Sequence, residues 1–364
     1  MKTALRWIVG LALAGLSIAS LVPLLETNAW WARMLDFPRM QVLGLLVALG
    51  IVFAALGGFR RAGFGLFLLV LAAVIYQGRV LSPYTPLAAK MDPGGAACGP
   101  DARLSVLVAN VQKSNRHAEA VLQMAAAQDS DVLVLLETSE WWNGALAPLD
   151  DRYAHHVQAM PEQAEYFGMH VFSRFELSEA EMRIPFNTDT PLFAGTLRHP
   201  AGDIRLFGIH PRPPQSFDQG TTMRDATLLE AAIEAADDPR PAILAGDWNA
   251  TPWERTAQRA MRLGRLADPR VGRGPLLSFD ANSWWIKWPL DQILWQEGLS
   301  LATFQVLPGI GADHYPVRAD LCVGGGTGLR LVPPREDDIE EARTSIAAAR
   351  PMPDDAVRGP MADE

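Results

Sequence analysis

Between Arg103 and Cys322 one device recurs: a short apolar run meets a residue able to bind a metal or move a proton. Run 104–109 leads to Asn110, run 131–136 to Glu137, and run 204–209 to His210. Run 241–246 leads to Asp247, with Asn249 two residues on. Leu290-Asp291 opens into Gln292-Ile293-Leu294, and Asp313-His314 precedes run 315–321. Glu137, Asp247, Asp291 and Asp313 offer hard carboxylate oxygens, while Asn110 and Asn249 offer amides. No Cys or His cluster has zinc spacing, so the donor set matches Mg²⁺ or Mn²⁺. Four carboxylates crowded without a cation would raise one another's pKa and destabilise the fold. His210 and His314 can donate to phosphoryl oxygens when protonated, or bridge a carboxylate to a substrate. Acids, amides, two histidines and a divalent cation together suit phosphoester hydrolysis, where positioning and charge stabilisation supply most of the rate.

Elements must exist to bring these groups together. The apolar runs are short and rich in Val, Leu and Ile, which predicts strands buried in a sheet core. Segments 118–128, 222–236 and 253–263 read as helices between them. Strands alternating with covering helices predict a layered α/β domain. Polar residues at successive strand ends then gather along one edge of the sheets, where ligands bind.

In this order the motifs resemble the endonuclease/exonuclease/phosphatase superfamily, the DNase I-like hydrolases. The resemblance rests on LSVLVANVQKSN with Asn110, DVLVLLETSE with Glu137, GMHVFSR, LFGIHPRPP with His210, GDWNATPW with Asp247 and Asn249, PLDQIL with Asp291, and ADHYPV with Asp313-His314. It implies a four-layered α/β/β/α sandwich and metal-dependent phosphoester hydrolysis. Carried across, Glu137 is the main metal ligand, helped by Asn110 and Asp313. Asp247 positions or deprotonates the attacking water, and Asn249 holds the transition-state oxygens. His314, oriented by Asp291, polarises the phosphate, and His210 contacts it too. The DNase I-like branch pairs that second histidine with an upstream Glu, for which Glu165 is the nearest candidate here. The same fold is expected to set its first and last strands side by side and antiparallel. That brings Cys98 near Cys322, either as a disulfide or as two free thiols.

Other side chains have weaker claims. Arg212 and Lys287 are candidate substrate contacts, with Arg116 and Arg224 as further phosphate candidates against a plain surface role. Arg174 reads as a strand-end structural residue. Trp284, Trp285 and Trp288 precede Asp291 and form a candidate rim that stacks a base, dips into lipid or packs in the core.

Composition sets the wider frame. Hydrophobic residues make up 49% of the 364-residue chain and charged residues 20%, below the roughly 25% of soluble domains. Three apolar stretches, 7–25, 40–59 and 62–76 or to 81, each approach the roughly 20 residues that cross a bilayer. The first alone also fits a cleaved signal peptide; with two more behind it, we read residues 1–81 as a three-helix transmembrane anchor. Residues 82–102 read as a flexible linker, 103–322 as the catalytic domain and 323–364 as a disordered acidic tail. Trp30 and Trp31 mark a membrane interface, and the paired Arg60-Arg61 favour a cytoplasmic N-terminus. The domain would then lie on the extracytoplasmic side, with a bacterial inner membrane the expected location and lipid the anchor's partner; no protein partner is inferred.

Net charge excludes a general nucleic-acid coat. The whole chain is −9, and residues 91–322 hold 19 basic against 30 acidic side chains. Two bound divalent cations would still leave that region acidic, which weighs against nonspecific phosphate-backbone binding. The substrate class stays open at this stage: a nuclease-like phosphodiesterase leads, and a phospholipid or sphingolipid phosphodiesterase or phosphatase follows. A non-catalytic membrane module retaining the fold is the rival of another class, disfavoured because the glutamate and the Asp-x-Asn pair are both present.

Overall fold

The computed structural model describes residues 1–60, 63–94, 98–160, 168–186, 190–214, 219–325 and 328–352. Three apolar helices open the chain: α1 (Lys2–Leu21), then, after the single turn α2 (Trp30–Arg33), α3 (Arg39–Ala55) and α4 (Phe64–Leu81). They pack through Leu13, Leu46, Phe53, Val70 and Ala73. Two spans, Lys2–Leu24 and Phe64–Tyr84, are long and apolar enough to cross a membrane. Trp30–Asp36 with Arg39–Ala55, bent by 73° at the break between them, makes a third if the pair is counted as one span.

From residue 103 the chain then alternates as its apolar runs predict. β1 (Arg103–Asn110), α5 (Ala118–Gln128), β2 (Val132–Thr138), α6 (Glu140–Leu146), β3 (His155–Ala159) and β4 (Gly168–Ser173) form its first half. β5 (Leu177–Arg183), β6 (Leu192–Leu197), β7 (Ile204–Ile209), α7 (Thr222–Asp237), β8 (Ala242–Asp247), α8 (Arg255–Leu263) and β9 (Asp291–Trp295) form its second. β10 (Gly298–Val306) and β11 (Val317–Gly325) return to the first sheet, and α9 (Asp338–Ala349) follows. One sheet has the order β10-β11-β1-β2-β4-β3 and the other β5-β6-β7-β8-β9. Their inner faces share one apolar core that includes Val106, Val134, Phe193, Ile243 and Trp295. Helices α5 and α6 cover the outer face of the first sheet, and α7, α8 and α9 cover the second. Strands buried on both faces explain the unbroken apolar runs. The result is the expected α/β/β/α sandwich.

β1 and β11 are antiparallel neighbours, with Arg103 opposite Cys322. Cys98 and Cys322 form a disulfide with Cα atoms 5.5 Å apart.

Two boundary expectations need correction. The tail is ordered as far as α9, because its apolar stripe (Ile339, Ala342, Ile346) docks in the α7–α8 groove. Asp338 is buried there and accepts hydrogen bonds from Arg259 (3.2 Å) and from Arg262 (2.6 and 2.7 Å). A short acidic helical patch at 336–343 is legible in the sequence; its docking is not, because its carboxylates have partners far away in sequence. The linker is also largely packed. Tyr84 is buried against Trp253, and Asp92 accepts the Leu301 N–H at 2.6 Å.

Candidate active site

All the strand-end residues meet at one edge of the sandwich. β1 and β2 run parallel, so Asn110 and Glu137 emerge together. β7 and β8 are likewise parallel, which sets His210 beside Asp247. β9 runs back antiparallel with Asp291 opposite Asp247. Asp313-His314 arrive just before β11.

Local backbone aims these groups. A register shift lies between Leu136 and Thr138, and Glu137 between them adopts φ +58°. Such a bulge turns a side chain out of the pleat at a cost of order 1 kcal/mol. Gly246 has φ +149°, and a Cβ there would collide with the Ile209 carbonyl. That contact lets β8 press against the end of β7 immediately before Asp247. Asn249 takes the left-handed conformation at φ +48°, which asparagine tolerates well. Its N–H donates to Asp247 Oδ1 at 2.8 Å and its Nδ2 to the Pro211 carbonyl at 3.0 Å.

Asn110 Nδ2 donates to Glu137 Oε1 at 2.8 Å and reaches Asp247 Oδ2 at 3.5 Å. Its own Oδ1 accepts the Gln112 N–H at 3.0 Å, so in this geometry the amide orients Glu137. His210 Nε2 lies 4.0 Å from Glu137 Oε1 and 3.8 Å from Asp247 Oδ2. His314 Nε2 lies 3.6 Å from Asp247 Oδ2, while its Nδ1 is 2.8 Å from Asp291 Oδ2. Among the described residues, ligand atoms of Asp247, Asp291 and His314 lie within 4.8 Å of one another.

Electrostatics separates the two histidines. Burial pushes His210 down, with Asp247 only partly opposing it, which favours neutral imidazole. Burial also presses on His314, yet Asp291 and Asp247 outweigh it and hold the imidazolium up to about 10. Burial raises Asp247, against the pull of His314. It raises Asp313 as well.

The donor set fits a hard divalent cation. Glu137, Asp247, Asp291 and Asp313 converge, and among the described residues the buried Oδ1 atoms of Asp291 and Asp313 have no hydrogen-bond partner. An unpaired buried carboxylate oxygen is costly, and a cation would satisfy it.

The remaining candidates divide. Lys287 borders the site, its Nζ donating to the Asp280 carbonyl at 2.7 Å and lying 4.8 Å from the Tyr315 ring. Arg212 lies two residues past His210 and is half-buried. Arg116 covers the Trp141 ring, and Arg174 pairs with Asp129 and Asp131. Glu165 lies outside the described residues. Arg224 is neither a phosphate contact nor a surface residue; it is fully buried, bonded to Asp225 and Glu254, and its Nη1 donates to the Asn249 carbonyl at 2.9 Å.

Sequence reasoning missed what lies behind that arginine. Glu254 also meets Arg33 of α2 (3.0 Å). Arg33 and Arg39 share Asp36 at 3.3 and 2.6 Å. Trp253 Nε1 donates to the Asp36 carbonyl at 2.7 Å. A buried ion cluster therefore runs from the apolar helices to the loop that carries Asn249. Its only sequence signal is charge placed inside apolar surroundings at 33, 36 and 39.

Residues 107–314 match the Endonuclease/Exonuclease/phosphatase family. The chain belongs to that family, whose general chemistry is phosphoester hydrolysis. No curated protein matches it in sequence. Among solved structures, it resembles truncated Caenorhabditis elegans TDP2 (16% identity, TM-score 0.50, 61% of this chain and 98% of that one). D. rerio TDP2 complexed with a single-strand DNA product gives 13% identity and TM-score 0.50, covering 60% of this chain and 98% of that one. A functionally unknown conserved protein from Enterococcus faecalis V583 gives 16% and 0.50, with 60% and 100% covered. At these identities the likeness is one of fold.

Proposed function

We infer that this chain is a membrane-anchored, divalent-metal-dependent phosphodiesterase with nuclease-like chemistry. The observation that carries the reading is the convergence of Glu137, His210, Asp247, His314 and Asp291 on one sheet edge, each 2.8–4.0 Å from the next. Glu137 would hold Mg²⁺ or Mn²⁺, with Asp313 and Asn110 beside it. When bound, the cation supplies positive charge to the phosphoryl oxygens.

The chain's own groups do the rest. Asp247, its Oδ1 fixed by the Asn249 N–H, orients a water and accepts its proton as the oxygen attacks phosphorus; the opposite P–O ester bond breaks and its alkoxide leaves, taking a proton from solvent. His314, kept protonated by Asp291, donates to a phosphoryl oxygen as negative charge develops. Neutral His210 shares a hydrogen bond from the opposite side. Asn249 Nδ2, now on the Pro211 carbonyl, lies beside the same oxygens.

The two apolar spans and the bent pair support an integral membrane location. The Cys98–Cys322 disulfide supports an oxidising, extracytoplasmic compartment for the domain. The test is hydrolysis of bis-(p-nitrophenyl) phosphate by the full chain in detergent. Turnover should require Mg²⁺ or Mn²⁺ and should fall at least roughly a hundredfold in Asp247→Asn and Glu137→Gln. Near-normal turnover by Asp247→Asn at saturating metal would overturn the mechanism.

A further inference from the structure

Segment 280–288 leaves the catalytic edge, and apart from Lys287 none of its side chains belongs to the hydrolytic set. Its root is fastened there: Phe279 bridges to both His314 and Trp288, and the Ala281 N–H donates to the Asp313 carbonyl at 2.6 Å. Its tip is apolar and open to solvent, with Trp284 90%, Trp285 47% and Ile286 36% exposed. Three consecutive large apolar side chains in water need a reason.

The loop's other neighbour supplies one. Gln41, in the first turn of α3, donates through Nε2 to the Trp285 carbonyl at 3.1 Å. Phe37 meets the Trp288 ring at 5.1 Å, and Trp30 meets Phe37 at 5.5 Å. With a rise of about 1.5 Å per residue, Gln41 stands about 3 Å along α3 from its start. The loop therefore sits where α3 passes from the domain into its apolar span. Trp31, Leu24 and Leu25, at the same end of the anchor, are also at least half exposed. Indole rings favour the bilayer interface, where the ring meets lipid and the N–H stays wet.

We propose that Trp284, Trp285 and Ile286 dip into the leaflet that α3 enters, and that the site hydrolyses the phosphodiester headgroup of a bilayer lipid in that leaflet: the water oxygen bonds to phosphorus, the P–O bond to the diacylglycerol breaks, the protonated diacylglycerol stays in the leaflet and the headgroup phosphomonoester leaves into water. The proposal rests on the hydrolase reading above and adds its substrate class. Charge points the same way. The 19 basic and 30 acidic side chains of residues 91–322 give no long-range pull on a free polyanion. A headgroup held by its acyl chains reaches the site by lateral diffusion and needs no such field. Lys287, the loop's one cation, stands between the tryptophan tip and the His314 side of the site, on the Tyr315 ring. It is placed to meet a headgroup phosphate entering from the membrane.

The test uses the full chain in vesicles of phosphatidylethanolamine, phosphatidylglycerol and cardiolipin with Mg²⁺. Wild type should release water-soluble phosphate from the vesicles. The Trp284→Ser/Trp285→Ser variant should lose at least tenfold of that release while cleaving bis-(p-nitrophenyl) phosphate within twofold of wild type. A nitroxide on Trp284→Cys should be relaxed more by oxygen than by an aqueous nickel chelate. A water-exposed nitroxide overturns the insertion. Intact vesicle lipid beside active diester cleavage overturns the substrate class, as does single-stranded DNA cleavage that alone falls in the double variant. Absence of diester cleavage with either metal overturns the hydrolase reading itself, and the nitroxide depth still decides insertion separately.

Discussion

Replacing Glu254 by Gln removes one carboxylate from a buried set of six charges. Arg33, Arg39 and Arg224 face Asp36, Asp225 and Glu254, and none is more than 2% exposed. The set is neutral as it stands; the variant leaves it at +1 in a low-dielectric interior. Breaking a buried pair in this way costs about 3–5 kcal/mol. At roughly 2–4 °C per kcal/mol for a domain of this size, Tm should fall by roughly 6–20 °C. The loss should also reach the chemistry. Arg224, deprived of Glu254, no longer has a fixed position from which to hold the Asn249 carbonyl. A small displacement of Asn249 lowers turnover more than substrate binding. Thermal unfolding in detergent measures the first effect, and kcat against KM for a soluble diester, well below Tm, measures the second. Adding Arg33→Met restores neutrality and should recover part of the lost stability. Glu254→Gln with wild-type Tm, or a double variant no more stable than the single, would refute the idea that this cluster is held together by charge balance.

Three further outcomes follow from the same geometry. Because Asp291 and Asp247 hold His314 protonated up to about 10, turnover should fall as pH rises through that value, and Asp291→Asn should move the fall to lower pH; an unchanged profile would make Asp291 merely structural. Burial takes His170 down to about 4, so the folded state keeps it neutral while the unfolded chain protonates near 6.5. Stability should therefore be intact above pH 6.5 and drop by about 3 kcal/mol on descending to pH 4, a slope that His170→Gln should flatten in urea titrations. Reducing Cys98–Cys322 opens a loop with a sequence separation of 224 and should cost up to about 5 kcal/mol; alkylation of both thiols in unreduced protein from native membranes would remove the disulfide's support for an oxidising location.

The parts legible in the sequence were those with short-range signatures. Strands buried on both faces announce themselves as apolar runs, which is why β1, β7 and β8 fall within a residue or two of their expected bounds. The site residues were legible for a related reason: each sits where a run stops, and parallel neighbours carry their stops to one edge. β3 and β5 were not, since their burial alternates and their polar faces mimic loop. The helical patch that becomes α9 was legible but its docking was not, because Asp338 finds Arg259 and Arg262 nearly eighty residues away. Arg224 was misread for the same cause. A guanidinium looks like surface until the structure places Asp225 and Glu254 around it.

Those long-range partners change what the apolar helices do. A tether would need only a flexible connection, yet the apolar helices meet the α/β domain at three separate joints. Ala29 bridges to Gly220, Arg33 and Asp36 enter the charge cluster behind Asn249, and Tyr84 packs on Trp253 and donates to the Pro252 carbonyl. A fourth contact, Gln41 to Trp285, holds the loop rooted beside Asp313 and His314. Two of the loops that frame the site, 247–254 and 280–288, are thus each fixed on their far side by the apolar helices. The apolar helices and the loops of the site are held by the same contacts, so a change in how the helices pack should reach the shape of the site.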